Sequence, residues 1–340
     1  MSDSADNSIP SNSSGTENLF SAHPLIWKIT KWVITLAAYA FLAYKLITFD
    51  QYSDFGAEWR SVSPARFFWL ALVVLLLPLN WLLEAVKWQK FVKVVEQISL
   101  KQSYNAVLAG ITTGFFTPNR IGEMVGRIIY LRPENRKAGV SMSVLNGLTL
   151  NMIVALFGIP ASIVFFNRGN SRFNPYDNNW IWLLLLFIVA VMGLYFYLPP
   201  YIRKKSGKRK MGKFSAFVGF LSQYTSADLA VILFISAVRF LLFSLQYYFM
   251  LLFFNIDLTL PDVVTAIPAN YLFITFTPKI AFSEGAVRSS YAVIFFGAYS
   301  NQTAGLALVG ITIWMINYAI PMALGSIVLN KKKKDTISGN

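Results

Sequence analysis

Apolar residues run for membrane-crossing distances at six places: Trp32–Phe49, Phe67–Val86, Val140–Phe166, Trp180–Leu198, Leu229–Phe254 and Thr303–Leu329. Each is of the order of the ~20 residues that carry a helix across a bilayer. The pattern predicts an all-α integral membrane protein with about six spanning helices. Two further apolar pieces, Tyr104–Thr117 and Ile121–Leu131, are separated by a proline, and each is too short to cross roughly 30 Å of hydrocarbon alone. The layout returns as Val263–Thr277 followed by Gly285–Phe296. Each pair forms either one span kinked at its proline or a re-entrant helical hairpin.

Charge decides between these. Lys87, Lys90, Lys93 and Lys101 precede the first pair, and Arg132, Arg136 and Lys137 follow it, so both ends prefer the cytoplasmic side. Were the pair a span, the basic loop Arg203–Lys213 would face outward. The second pair lies between Asp257/Asp262 and the neutral Ser300-Asn301-Gln302, which suits an external mouth. Reading both as hairpins puts all basic clusters, with the Lys331–Lys334 tail, on the cytoplasmic side. The loops near Asp50–Glu58 and Asn167–Asn179 then face out.

The two short pairs are copies of one another. Phe116-Thr117-Pro118 recurs as Phe276-Thr277-Pro278, 160 residues later, and Glu123/Arg127/Tyr130 recurs as Glu284/Arg288/Tyr291. Leu100, Ala106 and Ala109 recur as Leu260, Ala266 and Ala269. Each half has three spans and one hairpin, an odd number of crossings, so the second repeat is inverted relative to the first. Inverted repeats with broken helices are the architecture of many secondary transporters. The expected organisation is a disordered polar tail over 1–22, a single transmembrane domain over 23–330 with repeats at about 25–166 and 180–329, and a basic cytoplasmic tail over 331–340.

A proline inside a helix removes an N–H and holds the preceding residue out of the helical region, so Thr117-Pro118 and Thr277-Pro278 end one half-helix and can begin another. Broken backbone at membrane depth is tolerated only in protein or along a watery cavity. The second half-helix then presents its N-terminal N–H groups, an anion site, with Arg120 near the first proline and Lys279 beside the second. Phosphate is the expected guest. Glu-x3-Arg puts Glu123/Arg127 and Glu284/Arg288 at ion-pairing distance on one helical face, with Arg120 extending the first ladder. Two readings stand: the pairs neutralise one another, or they mark a pathway. Arg239 sits within a long apolar run and needs a partner from elsewhere, Glu123 or Glu284. Glu84 reads as an interfacial salt bridge to Lys87.

Composition narrows the class. Of the 340 residues, 55% are hydrophobic and 14% charged, which excludes an ordinary soluble domain. The net charge of +14 sits beside the spans, the positive-inside pattern rather than a nucleic-acid footprint. With no cysteine, a disulfide and a Cys-ligated metal are excluded, and the single His23 reads as an interfacial residue.

Pro118-Asn119-Arg120-Ile121-Gly122-Glu123, followed by Arg127 and Leu131, resembles the Pro-x-Arg-x-Gly-Glu-x3-Arg signature of the flippase-like transmembrane domain of bacterial lysylphosphatidylglycerol synthases and its freestanding relatives. The resemblance covers about residues 25 to 330. It implies a lipid flippase-like role, with hairpins entering from opposite sides and a lipid headgroup between them. Pro118, Arg120, Glu123 and Arg127 would then line the headgroup cavity, with Glu284. Where the family tends to have glycines in the second copy, this chain has Lys279-Ile280-Ala281-Phe282-Ser283. No aminoacyl-transferase domain follows, so the expectation is not an enzyme.

The resulting expectation is an inner-membrane protein with both termini cytoplasmic that translocates a phospholipid or modified lipid. Its substrate-binding candidates are Thr117, Pro118, Arg120, Glu123, Arg127, Thr277, Pro278, Lys279, Glu284, Arg288 and Arg239. Membrane lipids are the expected partners, with a homo-oligomer or a separate lipid-modifying enzyme as further candidates; no nucleic acid, cofactor or metal is expected. A secondary transporter of a soluble anion, proton-coupled through Glu123 or Glu284, is the alternative. A membrane-embedded enzyme ranks last, for want of a nucleophile or metal cluster.

Overall fold

The computed structural model describes residues 52–167, 179–206, 219–278 and 283–338. The chain divides into two units, Met1–Asp54 and Phe55–Asn340, and the second carries nearly all of the described helices. The polar tail over 1–22, the first apolar run at Trp32–Phe49, most of the Asn167–Asn179 and Arg203–Lys213 loops, and Lys279 lie outside the described residues.

Every regular element among the described residues is helical. They are α1 (Tyr52–Ser61), α2 (Phe67–Val92), α3 (Leu100–Phe115), α4 (Gly122–Ile128), α5 (Arg136–Phe166), α6 (Asn179–Ser206), α7 (Ser226–Phe253), α8 (Leu260–Phe276), α9 (Glu284–Phe296), α10 (Thr303–Trp314) and α11 (Ile320–Ser338). Among the described residues, five stretches are long and apolar enough to cross a membrane: Pro64–Val92, Pro133–Phe166, Trp182–Lys204, Ser226–Phe253 and Thr303–Lys331. They coincide with the last five of the six expected spans. The final one is not a plain α-helix: a π-turn at Met315–Ala319 joins α10 to α11. The four short helices of the two repeated pairs also form where the apolar pattern placed them.

Local sequence explains where the helices begin and stop. Ser99 caps α3 and Thr225 caps α7, each through reciprocal bonds with the residue three places on, Gln102 and Asp228. Thr117 (φ −124°, ψ 144°) ends the turn after α3, and Thr277 (φ −75°, ψ 124°) ends α8. Both are extended, as the following proline demands.

α3 and α4 fold back on each other antiparallel, Thr113 Oγ1 donating to the Gly122 carbonyl at 2.7 Å while Gly126 abuts the Ala109 backbone. α8 and α9 do likewise: Thr277 Oγ1 and Tyr291 Oη share a 2.7 Å hydrogen bond, and the Phe273 and Phe295 rings lie 5.2 Å apart. α2 packs on α7, α3 on α11, α8 on α5, and α9 on α10. Small residues permit these approaches, as is usual where lipid removes the ordinary hydrophobic drive between helices. A Cβ on Gly310 of α10 would stand 2.6 Å from the Arg288 carbonyl of α9.

Apolar side chains gather in two clusters. Along α2, Val73, Leu77 and Trp81 join one, while Ala85, Trp88 and Phe91 join the other. Glu84 falls between them. The polar site is set in that gap.

Candidate functional site

α2 carries Asn80, Glu84 and Lys87 at spacings of four and three, so all three lie on one helical face. That face meets α4, α5 and α7. The Glu84 carboxylate lies 2.7 Å from Arg127 Nη2 of α4 and 3.3 Å from Lys87 Nζ, and it also pairs with Arg239 Nη1 of α7. Asn146 Nδ2 of α5 donates to it at 2.6 Å. Lys87 donates on to the Asn146 carbonyl at 3.1 Å, and Arg239 Nε donates to Asn80 Oδ1 at 2.9 Å. Glu84 is 4% exposed and Lys87 0%, so this is a buried polar hub. One carboxylate is shared by three cations.

The expected Glu84–Lys87 salt bridge forms, but it is buried and not confined to that pair: Glu84 is also shared with Arg127 and Arg239, and the helix runs on to Val92 rather than ending at Val86. Arg239 finds its partner in Glu84, not in Glu123 or Glu284. α2 and α7 pack side by side, and that contact supplies the nearest carboxylate.

The first hairpin contributes the second layer. Glu123 Oε1 lies 3.3 Å from Arg120 Nη1 and Glu123 Oε2 lies 3.3 Å from Arg127 Nη2, the ladder its spacing predicted. Arg120 sits in a short 3₁₀ turn, Pro118–Arg120, where Asn119 (φ 47°) and Arg120 (φ 59°) both adopt left-handed backbone. Non-glycine residues enter that region at a cost of order 1–2 kcal/mol, a strain that functional sites often retain. From this turn the Arg120 guanidinium reaches across to the second hairpin. Its carbon lies 3.7 Å from the centre of the Tyr318 ring and its Nε 3.8 Å from Glu284 Oε2. Arg288 Nη2 pairs with Glu284 at 2.9 Å and donates to Tyr318 Oη at 3.0 Å. Tyr318 lies in the π-turn, and its ring lies within cation–π distance of both arginines.

These side chains surround a cavity of about 400 Å³, lined among others by Glu84, Lys87, Arg120, Glu123, Arg127 and Arg239. Arg288 lines a smaller neighbouring cavity of about 60 Å³, which shares Asn317 and Tyr318 with the larger. Of the sequence-predicted residues, Arg120, Glu123, Arg127 and Arg239 therefore meet at one cavity, with Glu284 joined to them by Arg120. Thr117, Pro118, Thr277 and Pro278 line neither. They shape the breaks: Thr117 Oγ1 accepts from Gly122 N at 2.8 Å and donates to the Gly114 carbonyl at 3.0 Å, and both prolines are exposed.

At the first break most of the N–H groups expected to meet an anion are already bonded. α4 is only seven residues long. The N–H groups of Arg120, Ile121, Gly122 and Met124 are bonded to Thr117 O, Pro118 O, Thr117 Oγ1 and Ile121 O. The 3₁₀ turn and Thr117 occupy these donors, and the arginine side chains supply the full positive charges.

The architecture, an Arg–Glu–Arg ladder on a proline-broken hairpin within an all-helical, multi-span chain, accords with a family match. The family described as lysylphosphatidylglycerol synthase TM region matches residues 31–328. The chain belongs to that family. No curated protein matches it.

In this member of the lysylphosphatidylglycerol synthase TM-region family, the sequence motif accounts for only part of the polar site. Asn80, Glu84 and Lys87 on α2, Asn146 on α5 and Tyr318 in the π-turn complete it. A signal for the first three was present in the sequence: polar residues at i, i+4 and i+7 inside an apolar helix define one face that lipid cannot accept. Tyr318 carried no such signal, because a π-turn has no reliable local pattern and aromatic residues abound in the chain.

Proposed function

We propose that this membrane protein translocates a phospholipid or a modified lipid between leaflets, the headgroup passing through the 400 Å³ cavity while the acyl chains stay in the bilayer. The observation that carries this reading is the meeting of both hairpins at one polar site, Arg120 of the first at Glu284 of the second, with Tyr318 of the π-turn against the same guanidinium. Ionisable groups at membrane depth are costly and mark pathways. A lipid fits better than a soluble solute because the cavity wall includes apolar residues open to the surroundings: Ile121 is 58% exposed and Leu148 49%. Acyl chains would lie against such a rim.

In this reading the hairpins are re-entrant and the halves are inverted repeats. The packing supports it. α3 and α8 begin 160 residues apart, at Leu100 and Leu260. Each lies on the last long helix of the other half, α3 on α11 and α8 on α5, while the equivalent helices α2 and α7 lie on each other. Exchange of the halves preserves that pattern.

Topology offers one test. The chain has no native cysteine, so single cysteines at Lys101 and Glu134 flank the first hairpin and those at Asp257 and Asn301 flank the second. Impermeant thiol reagents are expected to reach the first two from the cytoplasmic side only and the last two from the outer side only. Labelling of Lys101→Cys and Glu134→Cys from opposite sides would show that the first pair spans the membrane instead.

Transport itself is tested in liposomes carrying fluorescent phospholipids. Purified protein is expected to accelerate exchange between leaflets, and Arg120→Ala to slow it by roughly tenfold or more, the scale of one lost charge-assisted contact. Exchange equal to protein-free liposomes for every headgroup tried would remove the translocation reading.

A further inference from the structure

The cavity is not electrically balanced. Among the described residues that line it, four are cationic, Lys87, Arg120, Arg127 and Arg239, and two are carboxylates, Glu84 and Glu123. Adding the neighbouring Glu284–Arg288 pair leaves the same excess of two positive charges. Both cavity carboxylates are fully engaged: Glu84 by Lys87, Arg127 and Arg239, and Glu123 by Arg120 and Arg127. The donors are not. Arg127 is 5% exposed, and its Nε and Nη1, together with Arg120 Nη2, have no hydrogen-bond partner among the described residues. Around them, Asn80 Nδ2, Ser143 Oγ and Asn146 Oδ1 are likewise buried and unsatisfied. Buried charge and buried donors are stable only when something meets them.

We propose that the ligand of this cavity is an anionic phosphate ester, its oxygens held by Arg120 and Arg127 across Glu123, and that the site selects against headgroups of net positive charge. This rests on the cavity being the headgroup path proposed above, and it narrows that path to one charge class. Guanidinium donors in a fixed fork match phosphate oxygens, two N–H groups to one anion. A cationic headgroup would need a carboxylate with spare acceptor capacity, and each carboxylate here already faces at least two cations. It would also enter a region of positive potential with little water to screen it. The amide and hydroxyl groups of Asn80, Ser143 and Asn146 can meet neutral polar atoms next to the phosphate.

The sign of one substitution separates the two charge classes. Glu123 is on the cavity rim with its side chain 24% exposed, and both arginines keep other anchors without it: Arg127 on Glu84 at 2.7 Å, Arg120 over Tyr318 at 3.7 Å. If the ligand is an anion, Glu123→Gln removes a repelling charge and tightens binding. If it is a cation, the same change weakens binding. Binding is measured on the purified full-length protein by native mass spectrometry. The probes are lipids of identical acyl chains carrying phosphoglycerol, phosphocholine or lysyl-phosphoglycerol headgroups, with inorganic phosphate as a soluble competitor. The phosphoglycerol lipid is expected to bind at least about tenfold more tightly than the lysyl form, to gain affinity in Glu123→Gln and to lose about tenfold in Arg120→Gln. Arg120→Lys, which keeps the charge but not the fork, is expected to fall between wild type and Arg120→Gln.

Equal or tighter binding of the lysyl lipid, or weaker phosphoglycerol binding in Glu123→Gln, would overturn the proposal. Full displacement of the lipid by millimolar phosphate would support an anion site while pointing to a free anion as its source, against the lipid reading. Lipid exchange in liposomes with no headgroup preference in binding would overturn the charge selectivity and leave translocation standing.

Discussion

Replacing Glu84 by Gln is expected to destabilise the protein by about 3–5 kcal/mol, the range for removing one partner of a buried ion pair. The amide keeps the shape and can still accept from Asn146 Nδ2, now 2.6 Å away. It cancels the charge shared by Lys87, Arg127 and Arg239, which are 0%, 5% and 8% exposed. Three cations would then face one another with little water to screen them. The measurement is thermal unfolding of the purified protein in detergent, and the double variant Glu84→Gln/Lys87→Met serves as its control. Removing one surplus cation is expected to recover part of the loss, a coupling of the order of 0.5–3 kcal/mol between touching groups. Strict additivity of the two changes would show that Glu84 acts through packing alone. Glu123→Gln is the contrast: its side chain is 24% exposed, so its effect on stability is expected to be about 1 kcal/mol or less.

The second large effect is expected at a position with no charge. Gly310→Leu would place a Cβ 2.6 Å from the Arg288 carbonyl and from Ser289 N, backbone atoms that cannot rotate aside. Overpacking of this kind costs typically about 1–3 kcal/mol. It would also separate α9 from α10, moving the Glu284–Arg288 pair of α9 away from Tyr318, to which Arg288 now donates at 3.0 Å. Loss of stability together with loss of lipid exchange is therefore expected. Gly193→Leu is the matched control, because a Cβ there meets nothing within 4 Å. Equal unfolding temperatures for the two variants would show that α9 and α10 can part freely.

Both effects concern residues outside the repeat motif. The duplicated Phe-Thr-Pro and Glu-x3-Arg locate one cavity-lining group, Arg120 with Glu123 and Arg127, and the second hairpin's Glu284–Arg288 pair. Ending the second apolar run at Val86 hides the hub at Glu84, because it puts at the end of the run a carboxylate that is buried within the longer helix. The motif also predicts a positive helix end after Pro118, where Thr117 and the 3₁₀ turn occupy the N–H groups of Arg120, Ile121 and Gly122.

What the sequence by itself determined is local. The apolar runs set the helices, the prolines set the two breaks, and three- and four-residue spacing set the Arg120–Glu123–Arg127 ladder and the Glu284–Arg288 pair. Each depends only on residues within a turn or two, so chain geometry alone decides them. The tertiary structure decided the rest. Arg239 meets Glu84 across 155 residues of sequence and Arg288 meets Tyr318 across 30, contacts that exist only once α2 lies on α7 and the π-turn faces the second hairpin. Whether a charge is balanced or in surplus depends on which charges packing brings within a few ångströms and how much water it leaves there, and no spacing along the chain encodes either.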